Sequence, residues 1–238
     1  MSTAIRSGAP RAHVLVAVKE LHAAKSRLAE VFEAPLRTEL VLSMLHDTLS
    51  VVRTIETVVG VTVVTPDAAV AGLARSVGAD VYADPVASTP NHDSTTDVDS
   101  ERGLNAALSA AAEYVRRGEA GVDVVALQAD LPSLRGVEFE EALAAARSGG
   151  RSVVVDHHGT GTAALFSCDP AVPLDPRFGP GSAKRHLESG ARPLQGTWPG
   201  LRTDVDTADD LDVVRALGVG PATHAALKAL YRTATPSA

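Results

Sequence analysis

The stretch that decides the fold is VVALQADLP, residues 124–132. Its apolar, partly β-branched first half predicts a buried strand, and Asp130 followed by Leu131-Pro132 marks the point where the strand stops and the chain turns. Side chains at such strand ends line the ligand-binding edge of open α/β sheets. Asp130 is therefore a candidate site residue, although an aspartate before Leu-Pro also serves as an ordinary turn residue.

A second acidic segment, Asp204-Val205-Asp206-Thr207, reads as extended chain. Its period of two sends both aspartates to one face and Val205 into the protein. Two carboxylates about 4 Å apart repel by roughly 4 kcal/mol at an effective dielectric constant of about 20, and a shared divalent cation removes that cost. With Asp130, the pair predicts a site for Mg²⁺ or Mn²⁺ and phosphates. The alternative is that Asp206-Thr207 only starts a helix.

Strand-like and helix-like segments alternate on both sides of residues 124–132. Strand-like runs occupy 13–18, 61–65, 79–83, 122–128 and 152–155, and helical spacing occupies 35–53, 67–77, 103–117 and 137–147. This alternation predicts an α/β fold with a mostly parallel, doubly wound sheet and helices on both faces. We expect one domain over residues 1–238, with a core of about 13–223 and a short tail after 224.

The composition favours a cytoplasmic enzyme that acts on small molecules. The 238 residues are 45% hydrophobic and 21% charged, and the net charge of -7 offers no basic surface to nucleic acid. A single cysteine, Cys168, excludes an internal disulfide and reads as a core residue. Neither a signal-peptide pattern nor an apolar run long enough for a membrane span is recognised. We expect no nucleic-acid or membrane partner, and the oligomeric state stays open.

A polar segment at about residues 86–102 is rich in proline, serine, threonine and aspartate. Such a composition cannot build a core element, so we predict a mobile loop. Because it follows a predicted strand end, it reads either as an active-site lid or as a disordered insertion.

Three cations follow the first predicted strand: Lys19, Lys25 and Arg27. They indicate a clamp for a triphosphate, because lysine brings a point charge and arginine a planar fork that grips two oxygens. The segment contains neither a P-loop nor a GxGxxG turn, so side chains must hold the phosphates. The alternative is an ordinary solvated amphipathic segment.

Two glycine-containing turns, GTGT at 159–162 and FGPGS at 178–182, indicate an anion site. If Ser182 caps the helix-like segment that follows, the free N–H groups of the first turn point outward, aided by Lys184 and Arg185. A small phosphorylated acid fits such a site. The alternatives are a simple helix cap and a tight hairpin.

His157 and His158 are adjacent, and adjacent residues of a strand point to opposite faces. We therefore interpret both as surface or turn histidines. The sequence also lacks the Gly-x-Ser-x-Gly element of serine hydrolases.

Seven motifs occur in order: AVKELHAAKSRL at 17–28, ADP at 83–85, GLNAAL at 103–108, LQADLP at 127–132, GTGTA at 159–163, RFGPGSAKRH at 177–186 and WPGLRTDVDTADDL at 198–211. Through them the chain resembles, over roughly residues 14–223, the guanylyltransferases that start side-chain assembly of the deazaflavin coenzyme F-420, the CofC/FbiD family. Molybdopterin guanylyltransferases and sugar nucleotidyltransferases carry a glycine-rich loop after the first strand, which is absent here. The chain departs from the family at 86–102 and around 169–175.

The resemblance implies a Rossmann-like nucleotidyltransferase fold of the nucleotide-diphospho-sugar transferase type. It implies transfer of GMP from GTP to phosphoenolpyruvate, giving enolpyruvyl-diphospho-guanosine and pyrophosphate, with 2-phospho-L-lactate as the alternative acceptor. Carried to this sequence, the acceptor contacts are Thr162, Gly179 and Ser182, the metal ligands are Asp130, Asp204 and Asp206, and the nucleotide contacts are Lys19, Lys25, Arg27, Asp84, Gly103, Leu104 and Asn105. We expect Lys25, Arg27 and Asp130 to be catalytic. The resemblance also makes a transient hand-off of product to the next transferase of the pathway an expectation.

Two other functions remain open at this stage. A glycosyltransferase also uses an Asp-x-Asp turn and a metal to hold a nucleotide-sugar diphosphate, but it releases a nucleoside diphosphate instead of pyrophosphate. A nucleotide-binding module that has lost its chemistry would bind GTP without turnover.

Overall fold

The computed structural model describes residues 11–19, 21, 28, 32–83 and 97–233. The strands within these residues are β1 (Ala12–Ala17), β2 (Val58–Val64), β3 (Asp80–Tyr82), β4 (Asp123–Leu127), β5 (Arg151–Val155), β6 (Thr162–Ser167) and β7 (Arg192–Pro193). They form one sheet in the order β3-β2-β1-β4-β6-β5-β7. The strand before Asp130 is buried, as predicted, and β4 lies between β1 and β6.

The helices of the described part of the chain are α1 (Ala34–Arg53), α2 (Ala68–Ser76), α3 (Asp97–Gly118), α4 (Gly136–Ala146), α5 (Ser182–Glu188), α6 (Pro199–Arg202), α7 (Ala208–Leu217) and α8 (Pro221–Thr233). The predicted alternation of strands and helices is confirmed. Local caps fix several helix starts: the Asp67 carboxylate accepts from Ala69 and Val70 at the start of α2. Thr207 and Asp210 form a capping box at the start of α7.

The sheet is mostly parallel, as predicted, but one strand is reversed. β6 pairs antiparallel with both β4 and β5, whereas β1 runs parallel to β2 and to β4. The reversal follows from the connection between β5 and β6, which spans only residues 156–161. A connection of that length makes a hairpin, since a parallel crossover needs a dozen residues or more.

Helices cover both faces of the sheet. Along β1, Val14 and Val16 join one hydrophobic cluster, which includes Phe139 of α4, whereas Leu15 joins a second cluster with Leu108 of α3. Alternation along a strand directs successive side chains to opposite faces, so β1 contributes to both cores. No helix in the described segments is both long and apolar enough for a membrane span.

Two sequence-based boundaries are wrong. Helix α3 begins at Asp97 instead of Gly103, so the last residues of the predicted loop at 86–102 are helical, and residues 86–96 lie outside the described residues. Acidic residues favour a helix N-terminus, which explains why this polar stretch is helical. The core does not end near 223, because Leu227 and Leu230 of α8 are buried in the hydrophobic core.

Candidate active site

Three carboxylates lie together beyond the carboxyl end of β4. Asp130, Asp204 and Asp206 each offer an oxygen, and these atoms all lie within 4.8 Å of one another. The backbone N–H of Val205 donates to the carbonyl oxygen of Asp130 at 3.3 Å, and Val205 is fully buried. The extended Asp-x-Asp geometry expected from the sequence is therefore confirmed, with the two aspartates facing Asp130.

The donor set fits a hard divalent cation. Asp130 and Asp204 are only 8% and 9% exposed, so their mutual repulsion is weakly screened by water. Carboxylate oxygens are the ligands that Mg²⁺ and Mn²⁺ prefer, especially where phosphates complete the coordination.

The segment that carries Asp206 is held by a buried carboxylate. Asp210 accepts hydrogen bonds from the backbone N–H groups of Asp206 at 3.0 Å and Thr207 at 2.7 Å. Burial raises the pKa of Asp210, but the hydrogen bond from the Thr207 hydroxyl, these two backbone hydrogen bonds and the nearby His157 together outweigh burial, so its pKa lies below the ordinary value. Asp210 is thus ionised at neutral pH and braces the chain beside the candidate metal ligands.

His157 and His158 do not point to opposite faces. Both Nε2 atoms lie 3.0 Å from Oδ1 of Asp210, and the two rings lie 3.7 Å apart. The alternation expected for a strand fails because both residues belong to the turn after β5. His157 also brings Nδ1 to 3.8 Å from Asp204, so it borders the carboxylate cluster.

The GTGT turn is the hairpin between β5 and β6. Asp156 accepts from the backbone N–H of Thr160 at 3.0 Å and of Gly161 at 2.8 Å. A Cβ at Gly161 would lie 2.3 Å from the Asp156 carboxylate, so the turn requires glycine there. The N–H groups of Thr160 and Gly161 are therefore engaged within the protein, and of the two interpretations of this turn the hairpin is the correct one.

Ser182 is not the cap of α5. The N-cap is Gly181, with φ 68, and Ser182 is the first helical residue. The N–H of Ala183 donates to Thr160 and that of Arg185 donates to Gly181, so these groups do not form the predicted anion site. Instead, the Ser182 hydroxyl donates to Oγ1 of Thr162 at 3.1 Å.

His186 completes this buried group. Its Nδ1 lies 2.9 Å from Oγ1 of Thr162, and its Nε2 accepts the backbone N–H of Arg177 at 2.8 Å. Burial lowers the pKa of His186 to about 4, and Arg151 and Arg185 add to the effect. The imidazole is therefore neutral at physiological pH.

Thr162, Ser182, Asp204 and Asp206 line one cleft of about 400 Å³. Its lining includes the predicted acceptor contacts Thr162, Gly179 and Ser182 together with Asp204 and Asp206. This size and this concentration of polar groups are typical of a small-molecule site. The structure therefore brings together predicted acceptor contacts and two predicted metal ligands that are distant in sequence.

Asn105 ties helix α3 to the turn at 178–182. Its side-chain oxygen accepts from the N–H of Phe178 at 2.8 Å, and its nitrogen donates to the carbonyl oxygens of Phe178 at 3.0 Å and Glu101 at 2.9 Å. A Cβ at Gly179 would lie 2.3 Å from the Glu101 carboxylate, so the neighbouring position admits only glycine. Asn105 thus positions the turn at 178–182, and its predicted contact with the nucleotide stays a prediction.

The other predicted nucleotide contacts are less closely defined. Lys19 is exposed just after β1, Leu104 packs against the second hydrophobic cluster, and Gly103 has open space around it. Lys25, Arg27 and Asp84 lie outside the described residues. Their roles stay predictions.

Sequence reasoning missed three residues at this site. Gln128 and Asp156 line the cleft, and His186 contacts Thr162. Asp156 directly follows a strand, the same signal that identified Asp130. His186 gives no such signal, because its partners come from across the fold.

Comparison with known proteins identifies the family. A sequence profile described as "Guanylyl transferase CofC like" matches residues 12–237. The chain is 78% identical over 234 residues to the phosphoenolpyruvate guanylyltransferase of Rhodococcus opacus, covering 98% of this chain and 97% of the relative. It is 78% identical over 225 residues to phosphoenolpyruvate guanylyltransferase 1 of Rhodococcus jostii, covering 94% and 96% respectively.

A solved structure shares the fold. A protein of Desulfovibrio desulfuricans, classed with the nucleotide-diphospho-sugar transferases, superposes with a TM-score of 0.64 at 17% identity and covers 96% of this chain and 100% of its own. The fold predicted from the sequence is therefore confirmed. Together with the family match over nearly the whole sequence, these findings show that the chain belongs to the CofC-like guanylyl transferase family.

Proposed function

We propose that this protein transfers GMP from GTP to phosphoenolpyruvate, giving enolpyruvyl-diphospho-guanosine and pyrophosphate, in the biosynthesis of coenzyme F-420. The single observation that carries the proposal is the shared cleft, which Thr162 and Ser182 line together with Asp204 and Asp206. The names of the 78% identical relatives support phosphoenolpyruvate as the acceptor.

The reaction needs little covalent work from the protein. An acceptor phosphate oxygen attacks the α-phosphorus of GTP, the bond from that phosphorus to the bridging oxygen breaks, and pyrophosphate leaves. The acceptor phosphate is already ionised at neutral pH, so no general base is required. The protein contributes orientation and charge neutralisation.

We assign Asp130, Asp204 and Asp206 to hold the divalent cation, Mg²⁺ or Mn²⁺. Support comes from their clustered oxygens and from the low exposure of Asp130 and Asp204. When bound, the ion neutralises charge on the triphosphate and on the leaving pyrophosphate. Lys19, Lys25 and Arg27 are assigned to the GTP phosphates, and Asp84, Gly103, Leu104 and Asn105 to the rest of the nucleotide.

The acceptor is assigned to Thr162, Gly179 and Ser182. The Ser182 hydroxyl donates to Thr162, which leaves the Thr162 hydroxyl as a neutral donor for an oxyanion. Gly179 has no side chain to collide with Glu101. Phosphoenolpyruvate and 2-phospho-L-lactate both present a phosphate and a carboxylate, so the acceptor must be identified by measurement.

The test is Mg²⁺-dependent release of pyrophosphate from GTP with each acceptor, with the deazaflavin precursor and the next transferase present to trap the product. Release with phosphoenolpyruvate is expected. Release only with 2-phospho-L-lactate would change the acceptor and keep the reaction class. Release of a nucleoside diphosphate from a nucleotide-sugar, without release of pyrophosphate from GTP, would indicate a glycosyltransferase, and binding of GTP without release would indicate an inactive module.

A further inference from the structure

The hydrogen-bond partners of His186 define where its proton lies. The ring is fully buried, and its Nε2 receives the backbone N–H of Arg177 at 2.8 Å. A backbone N–H can only donate, so Nε2 carries no hydrogen. A neutral imidazole must then carry its hydrogen on Nδ1, which donates to Oγ1 of Thr162 at 2.9 Å.

This tautomer determines what the Thr162 hydroxyl can do. Oγ1 of Thr162 receives hydrogen bonds from Nδ1 of His186 and from the Ser182 hydroxyl, which fills both of its acceptor positions. Its own hydrogen is left over, and Thr162 and Ser182 both line the cleft. In the opposite tautomer, the Thr162 hydroxyl would donate to His186 and the Ser182 hydroxyl would donate to Thr162. Neither hydroxyl would then have a hydrogen to donate to a ligand.

We propose that His186 is a positioning residue that keeps the Thr162–Ser182 hydroxyl pair in the orientation that donates to an oxyanion of the acceptor. The inference rests on the proposed function, because it assumes that the acceptor binds at these hydroxyls. It extends that function by adding a residue that does not line the cleft and acts through Thr162.

The surroundings of His186 preserve the neutral ring. Arg151 of β5, Arg185 of α5 and Arg177 of the preceding turn disfavour a positive charge on it, whereas Asp175 alone favours one. Together with burial, they lower its pKa to about 4. A charged ring would also have a hydrogen on Nε2 and could not accept the N–H of Arg177.

Two variants of similar size separate positioning from packing. His186→Asn places a side-chain NH₂ near the position of Nδ1, whereas His186→Leu offers no donor, and both lose the contact with Arg177. We expect the Leu variant to raise the KM for phosphoenolpyruvate by about tenfold, the effect of one lost hydrogen bond, with an unchanged KM for GTP. The Asn variant should restore most of that loss. Equal impairment in both variants would mean that His186 only packs.

The proton can also be located directly in the wild-type protein. Long-range ¹H–¹⁵N NMR spectra at pH 7, with His186 assigned by the signal that His186→Asn lacks, should show a neutral ring with hydrogen on Nδ1. A hydrogen on Nε2 would overturn the inference, even if the Leu variant does not fold. The NMR measurement does not depend on turnover. A wild-type protein that is inactive with phosphoenolpyruvate would therefore refute the proposed function but not the tautomer assigned to His186.

The acceptor has two oxyanions, and competition assays distinguish them. Inorganic phosphate carries only the phosphate group and pyruvate only the carboxylate. If Thr162 donates to the phosphate, inhibition by inorganic phosphate weakens in His186→Leu while inhibition by pyruvate does not change. The reverse pattern assigns the carboxylate, and no change for either compound contradicts the proposed role.

Discussion

Val205 donates its backbone N–H to the carbonyl oxygen of Asp130 at 3.3 Å, and this contact joins two chain segments that are far apart in sequence. It pairs the end of the central strand with the Asp-x-Asp segment, as in a short piece of sheet. The spacing of the three carboxylates is therefore set by backbone geometry, which side-chain substitutions leave in place.

Replacing Asp130 by asparagine should abolish most activity without unfolding the protein. The change keeps the size and removes one charge, so mutual repulsion in the cluster falls while cation binding is lost. We expect pyrophosphate release to drop by about 100-fold or more. The Tm without divalent cation should not fall, and its rise on adding Mg²⁺ should disappear.

The matched control for this variant is Asp209→Asn, an exposed aspartate in the same acidic segment. It should retain both activity and the Mg²⁺-dependent rise in Tm. An Asp130→Asn protein with normal turnover would refute the assignment of the metal site.

Replacing Gly161 by alanine should weaken acceptor binding. The new Cβ would lie 2.3 Å from the Asp156 carboxylate, which must then release the N–H groups that shape the hairpin turn. Because Thr162 is the next residue, we expect the KM for phosphoenolpyruvate to rise about tenfold or more, with a smaller effect on GTP. Steady-state kinetics with each substrate varied in turn measures the two constants.

Gly72→Ala in α2 is the control for this change, because a Cβ there meets nothing within 4 Å. It should leave both KM values unchanged and stabilise the protein by up to about 1 kcal/mol. Equal KM values in Gly161→Ala and the wild type would show that the turn tolerates the extra methyl group.

His186 should make stability depend on pH below neutrality. Its pKa falls from 6.5 to about 4 on folding, so the unfolded chain binds the proton more tightly than the native protein. The free energy of unfolding should therefore decrease as pH falls from 6.5 to 4, by about 3 kcal/mol from this residue. Urea denaturation at several pH values measures the change.

Carboxylates also titrate in this range, so the informative quantity is the difference between wild type and His186→Asn. The variant should lose less stability than the wild type between pH 7 and pH 4. Parallel curves for the two proteins would contradict a lowered pKa.

Asp47 should stabilise the packing of α8 on α1. Its carboxylate is 3% exposed and accepts from the N–H groups of Ala222 at 3.1 Å and Thr223 at 2.7 Å. Replacing Asp47 by alanine removes this cap and leaves two donors without their acceptor, so the free energy of unfolding should fall by about 2 kcal/mol.

Glu39→Ala, at an exposed position of the same helix, is the control and should change the free energy of unfolding by less than about 0.5 kcal/mol. Chemical denaturation compares the two, and a similar loss in both would rule out the cap.

Local signals in the sequence were enough to locate the carboxylates. Asp130 follows an apolar strand, and the period of two in the Asp-x-Asp segment already implied that both side chains share a face. The alternation of elements likewise gave the α/β architecture. These features depend on neighbours along the chain, so a single sequence reveals them.

The errors come from contacts that local patterns do not encode. The direction of β6 depends on a hairpin whose sequence also fits an anion-binding turn. The interpretation of His157 and His158 as turn residues is confirmed, but their shared contact with Asp210 was not predicted. The hydroxyl of Ser182 turned to Thr162 instead of capping α5. His186 could not be recognised from sequence, since Arg177 and Thr162 reach it only in the folded protein.

The reversed direction of β6 also has an evolutionary consequence. Because β6 runs against β4, its first residue, Thr162, comes to the edge where β4 ends, and Leu127 pairs with Ala164. The residues that we assign to the acceptor therefore lie in one continuous stretch, from the hairpin at 156–161 to α5, and this stretch contributes none of the three clustered aspartates. We therefore expect that exchange of that stretch alone during evolution can change the acceptor, while the three aspartates assigned to the cation stay the same.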